Sequence, residues 1–164
     1  MKAETKRTCY RLLFVFFVVM YFFISDKTLK WFSESYNIGI SRGWCLPWDA
    51  YLIQTKREGV SRQFVRGDLI AFKGDQRMPE KFQKVPVIKM VLGLPGDRIV
   101  IRDDWIWLNG EPYDRMWLAQ NVLKDFVVRE GHYFVVGTHR DSLDSRYFGL
   151  VAADAVIGQA WPLF

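Results

Sequence analysis

The stretch Pro86–Asp97, P-V-I-K-M-V-L-G-L-P-G-D, leaves the chain few options. Read as a strand, it alternates Val87, Lys89 and Val91 with Ile88, Met90 and Leu92. Both faces are therefore apolar except at one position, and such a strand is buried on both sides. The exception is Lys89. A lysine among buried neighbours loses hydration, which disfavours its charged form and makes it usable as a base. Gly93-Leu94-Pro95-Gly96-Asp97 then ends the strand with turn chemistry.

The 164 residues suit one domain of ordinary size. At 50% hydrophobic and 16% aromatic, the composition supplies a core and is too apolar for disorder. The net charge of +5 is unevenly spread: Lys2, Lys6, Arg7 and Arg11 against Glu4 make residues 1–11 a basic tail. Later positives are interleaved with carboxylates instead of forming a stripe, so no nucleic-acid partner is expected. Directly after the tail, residues 12–24 (L-L-F-V-F-F-V-V-M-Y-F-F-I) carry no charge. As a helix they cover ~20 Å against a hydrocarbon core of ~30 Å. Thr8, Cys9, Tyr10 and a snorkelling Arg11 extend them toward a full span. Ser25-Asp26-Lys27 offers no small-residue cleavage pattern, so the segment reads as an uncleaved anchor and not a signal peptide. A buried soluble helix would need a polar face, which is missing. Positive charge upstream keeps the N-terminus cytoplasmic and sends the remainder across the inner membrane to the periplasmic side.

Residues 25–40 read as a juxtamembrane connector, with Trp31, Phe32 and Tyr36 suited to contact with lipid at the bilayer interface. Residues 41–164 form the domain. Strands are expected at Ala50–Thr55, Asp68–Phe72, in the Lys89 stretch, and at Arg98–Ile101, His132–Val136 and Ala155–Trp161. Asn109-Gly110 between Trp105–Leu108 and Pro112–Trp117 marks a hairpin. Met116–Phe126 reads as a short helix; Lys73–Pro86 and Gly137–Gly149 read as polar loops. The expected fold class is all-β, mostly antiparallel coiled sheets in a barrel-like arrangement, behind one N-terminal transmembrane helix.

His132 and His139 lack partner ligands at metal spacing, and no phosphate or dinucleotide fingerprint occurs, so no metal or cofactor is expected. What remains is a thiol, Cys45, in a Gly/Pro loop (Ser41–Tyr51), the lysine Lys89, and a polar loop with Ser142 and Asp144. Cys9, at the inner membrane edge, cannot reach Cys45, which leaves a lone thiol in an oxidising compartment. A nucleophile needs a base for its proton, and a desolvated lysine can serve. A surface thiol and a snorkelling lysine are the plainer alternative.

Four separated segments occur in order: Arg66-Gly67-Asp68-Leu69-Ile70-Ala71-Phe72, Ile88–Asp97, Asn109-Gly110-Glu111 and Ser142-Leu143-Asp144-Ser145-Arg146-Tyr147-Phe148-Gly149. Together they resemble successive motifs of the type I signal (leader) peptidases and cover nearly everything after the anchor. The small size and the C-x-P-x-x-x-Tyr loop from Cys45 to Tyr51 look closer to the conjugative-transfer branch, the TraF-like pilin-maturation peptidases. The resemblance implies that Lys89 is the general base, that Ser142 orients it, and that Asp144 and Arg146 are a charged pair holding the site's loops. An ordinary ion pair is the bland reading of the last two.

The chain departs from the family at the nucleophile. Counted from Pro47, the conjugative branch places serine where this chain has Cys45; aligned on the leader-peptidase form instead, the position is Trp44, which cannot act. Three readings stand: Cys45 is a working nucleophile served by Lys89, Cys45 marks an inactive domain that only binds substrate, or His139 serves the thiol. Ser41 is a rival hydroxyl. Gly43 matches a position where some leader peptidases place an oxyanion-hole serine; glycine has no side chain to donate, leaving the backbone N–H of Cys45 for that task. The resemblance implies a membrane-anchored protease that processes, and through a thioester can cyclise, a prepilin in conjugative transfer. The alternatives are a general leader peptidase acting on exported preproteins and an inactive pilin-binding factor of the conjugation machinery.

Overall fold

The computed structural model describes residues 13–18, 20–21, 26–40, 45–55, 63–115, 125–139 and 141–163. The chain divides into two compact units, Met1–Ser35 and Tyr36–Phe164. In the first, residues 13–18 and 20–21 are helical, and the rest of the expected anchor lies outside the described residues. Among the described residues no helix is long and apolar enough to cross a membrane. Helix α1 (Asp26–Ser35) occupies most of the expected connector, with Leu29, Trp31 and Phe32 exposed.

The second unit is two antiparallel sheets. The first is seven-stranded, in the order β1 (Tyr36–Ile40), β2 (Ala50–Thr55), β11 (Val156–Pro162), β3 (Leu69–Lys73), β4 (Pro86–Gly93), β9 (His132–Val136), β10 (Val151–Ala152). The second is four-stranded, in the order β7 (Glu111–Arg115), β6 (Trp105–Leu108), β5 (Arg98–Arg102), β8 (Asp125–Val127). Among the described residues, β1 and β10 are the edges of the larger sheet, and the two antiparallel sheets agree with the expected all-β class. Strand β1 joins the larger sheet, and this compact unit runs from Tyr36.

Two short helices, α2 (Glu80–Gln83) and α3 (Ser145–Phe148), sit inside the segments read as plain loops. The helix expected over Met116–Phe126 ends in strand β8 at Asp125 and Phe126; residues 116–124 lie outside the described residues. The hairpin at Asn109-Gly110 forms as the dipeptide dictates, with φ of 53° and 91° at the two turn residues. Asp103-Asp104 makes the preceding turn with φ of 52° and 62°.

Strand β4 is the spine of the domain. Its Ile88 enters a cluster with Leu46, Tyr51, Ile53 and Ala160, while Leu92 enters another with Ile99, Ile106, Phe134 and Val136. On its opposite face, Val87 and Val91 pack with Ile70, Phe72, Val135 and Phe148. Lys89 stands between those two valines. In the second sheet, Ile106 enters the core, so Trp105 and Trp107 lie on the outer face, where Arg102 stacks 4.6 Å from the Trp107 ring.

Candidate active site

Lys89 is paired across β4–β3 with Ile70, and it is only 3% exposed. On the other side, Met90 pairs with Val136, so one more step of the same register sets Gly137 opposite Lys89. Directly opposite residues share a sheet face. The neighbour on that face therefore has no side chain, and other groups fill the space. A Cβ added at Gly137 would collide with Ser142 Oγ and lie 2.7 Å from the carbonyl oxygen of Cys45. Ser142 Oγ in turn accepts from Lys89 Nζ at 2.9 Å. The glycine lets three distant parts of the chain converge: β4 with Lys89, the loop after β9 with Ser142, and the turn bearing Cys45.

The loop after β9 is built to stay in place. Beyond its short pairing with β10, β9 would leave N–H groups without a partner strand. Side chains take the strand's role: Val135 N–H donates to Ser145 Oγ and Gly137 N–H to Asp144 Oδ2, both at 2.9 Å. Asp144 caps α3 and receives two parallel bonds from Arg146, Nε to Oδ1 and Nη2 to Oδ2, each 2.7 Å. Arg146 also donates to the Ser142 carbonyl at 3.1 Å. Ser142, Asp144, Ser145 and Arg146 are all 0% exposed. A fully buried, bidentate pair of this kind rigidifies the loop that presents Ser142 to the lysine.

Cys45 is half-buried and enters the site through its backbone. Its carbonyl accepts from Thr138 N–H at 2.7 Å and from Thr138 Oγ1 at 3.3 Å. Next to it, Leu46 plugs the core beside Tyr51. His139 turns its Nδ1 toward Asp141, accepting from the Asp141 N–H at 3.2 Å and lying 3.8 Å from Oδ2. Ser41, Gly43 and Trp44, as well as Cys9, lie outside the described residues.

Residues 6–164 match the family described as signal peptidase, peptidase S26. The chain belongs to that family. A signal peptidase I from Bacillus licheniformis is 32% identical over 117 residues, covering 62% of this chain and 60% of that protein. One from Bacillus caldolyticus is 32% identical over 119 residues, covering 59% and 62%. A crystal structure of a signal peptidase I from Enterococcus faecalis is 31% identical and covers 60% of this chain and 97% of the other, with a TM-score of 0.42. The chain spans about three-fifths of the length of the two Bacillus relatives.

The residues singled out from sequence thus converge in part: Lys89, Ser142, Asp144, Arg146 and the Cys45 backbone share one corner of the larger sheet. Gly137 and Thr138 were not singled out, although a glycine directly after the apolar run His132–Val136 was the available signal. Ser145, part of a recognised motif, had no assigned role; it satisfies the β9 edge.

Proposed function

We propose that this chain is a membrane-anchored peptidase of the signal-peptidase type, with Cys45 as nucleophile and Lys89 as general base. One observation carries the reading: a lysine buried on an apolar strand, 2.9 Å from the buried Ser142 hydroxyl, with that hydroxyl and the Cys45 carbonyl both against Gly137. Residues 12–24 anchor the chain, the N-terminus is cytoplasmic, and the peptidase unit works at the periplasmic face of the inner membrane. Asp144 and Arg146 hold the loop, and Ser142 orients the lysine. His139 is disfavoured as the base because its Nδ1 accepts from the Asp141 N–H, which in a neutral ring places the proton on Nε2 and leaves that nitrogen a donor.

In the first step, Lys89 takes the Cys45 proton and the thiolate attacks a substrate carbonyl. The backbone N–H of Cys45, in the turn that follows Gly43, steadies the resulting oxyanion. The C–N bond breaks, a thioester forms, and Lys89 returns its proton to the leaving amine. In the second step, water or an amine displaces Cys45. The substrate is a prepilin of conjugative transfer, following the resemblance of the Cys45–Tyr51 loop to the TraF-like branch. If the acyl group is the pilin body and the displacing amine its own N-terminus, the C–S bond is exchanged for an amide and the product is cyclic.

Separate Cys45→Ala and Lys89→Ala variants test the chemistry: each is expected to abolish processing, and survival of processing in both defeats the catalytic reading. Cys45→Ser, with cleavage kept and cyclisation lost, would tie the thioester to the second step. Mass spectrometry of the mature pilin decides the product, since a mass one water below the linear form marks the cycle. A second reading, a general leader peptidase for exported preproteins, is favoured by the signal peptidase I relatives. It predicts cleavage of a secreted preprotein when no pilin gene is present.

A further inference from the structure

The turn that presents Cys45 is held at more points than its length requires. Leu46 is buried in a core cluster that includes Tyr51, fixing the residue after the thiol. Tyr51 is 0% exposed, its hydroxyl donates to the Trp48 carbonyl at 2.9 Å, and its ring meets the Trp48 ring edge-on at 6.5 Å. Across the gap, Thr138 donates both its N–H and its hydroxyl to the Cys45 carbonyl. Two carbonyls three residues apart are therefore pinned from two different strands' ends, with an apolar plug between them. A turn satisfied by its own backbone would need neither side-chain hydroxyl.

We infer that Tyr51 and Thr138 are positioning residues whose hydroxyls set the orientation of the Cys45 peptide, and through it the direction of the thiol and of its N–H. The inference rests on the reading of Cys45 as nucleophile and adds to it the groups that aim it. Burial raises the Tyr51 phenol above its usual range, and the nearby Asp49 carboxylate adds to the shift. Tyr51 therefore remains a donor throughout the physiological range.

The test uses the full-length chain in detergent, with iodoacetamide as probe and peptide mapping to follow Cys45 against Cys9 as internal reference. Tyr51→Phe keeps the ring and Thr138→Val the volume. Both are expected to speed Cys45 alkylation several-fold relative to Cys9, as the freed turn exposes a half-buried thiol. On a preprotein that the unaltered chain cleaves, kcat should fall by about 10- to 100-fold with KM nearly unchanged, since misplacement of a reacting group acts on the chemical step. Thr138→Ser, which keeps the hydroxyl, should restore both readouts. A merely structural role would lower Tm without moving the Cys45-to-Cys9 ratio. Unaltered ratio and kcat in both variants would overturn the inference, and exposed Thr138 keeps the test available should Tyr51→Phe fail to fold. Loss of processing in Cys45→Ala beside normal Tyr51→Phe and Thr138→Val would sink the positioning role alone. Intact processing in Cys45→Ala would sink the nucleophile, while the alkylation ratio still judges the hold on the turn.

Discussion

Two stretches of this chain, 73–86 and 137–149, are alike in sequence: each is polar, charged and bounded by apolar strands. They end in opposite environments. In the first, Asp75 and Arg77 pair on the surface, as do Glu80 and Lys84 one helical turn apart, and these side chains stay in contact with water. In the second, Ser142, Asp144, Ser145 and Arg146 are withdrawn from solvent altogether. The difference is the neighbour. The first stretch joins β3 and β4, which already pair with each other, so its charged pairs stay at the surface even where Arg77 also reaches the Leu150 carbonyl at 3.1 Å. The second lies against the edge of β9, where the N–H groups of Val135 and of Gly137 just beyond it would otherwise be orphaned. Burial of polar side chains is tolerable where each has a partner, and here the partners are an unpaired strand edge and one another.

That contrast can be broken experimentally. The largest effect is expected from Arg146→Ala, which leaves the Asp144 carboxylate buried without its ion-pair partner and should cost about 3–5 kcal/mol in chemical denaturation. Next comes Gly137→Ala, whose methyl would occupy the place of Ser142 Oγ. Substrate processing should drop on the order of 100-fold, the scale set by misplaced reacting groups, with a smaller loss of stability. Ser142→Ala removes the acceptor of Lys89 and should lower kcat, with a stability change of about 1–3 kcal/mol for a buried group left unpartnered. Smallest is Arg77→Ala in the exposed loop, at about 0–1 kcal/mol. A comparable cost at Arg77 and Arg146 would refute the distinction between the two loops.

Acid sharpens the comparison at a third place, the turn after β4. Asp97 accepts from the Leu94 N–H and from Asn109 Nδ2, both at 2.7 Å, and pairs with Arg66 at 3.0 Å. Burial alone would raise its carboxyl, but the Leu94 and Asn109 hydrogen bonds and the Arg66 charge outweigh it, so Asp97 lies below its usual range. A carboxyl lowered on folding contributes stability above its unfolded value, and that contribution disappears as pH falls through the folded one. Unfolding midpoints measured from neutral pH down to below about pH 4 should therefore drop less steeply in Asp97→Asn than in the unaltered chain.

Much of the architecture was legible along the chain. The double-sided apolar pattern of β4, the Asn-Gly hairpin and most strand positions follow from periodicity and turn chemistry, which act over a few residues. The loop 137–149 is legible as polar, but its burial is not, because a run such as T-H-R-D-S-L-D-S-R carries no local sign of a strand edge waiting for its donors and acceptors. Strand β1 was missed for a related reason. Y-N-I-G-I is short and interrupted by glycine, and it is a strand because Gly39 passes close over Ile53 and Ile88 while the backbone pairs with β2.

From the sequence it follows that Lys89 sits in a strand with no polar company, and that the Cys45 thiol stands two residues before Pro47 on the same chain. Side-chain alternation and motif order are local properties and need no third dimension. Only the tertiary structure decided what the lysine touches. The register that sets Gly137 opposite Lys89 depends on pairing between strands more than forty residues apart, and the space left by a missing Cβ exists only once those strands are joined. Into that space come a serine hydroxyl and a cysteine carbonyl, held there by a buried ion pair and a threonine.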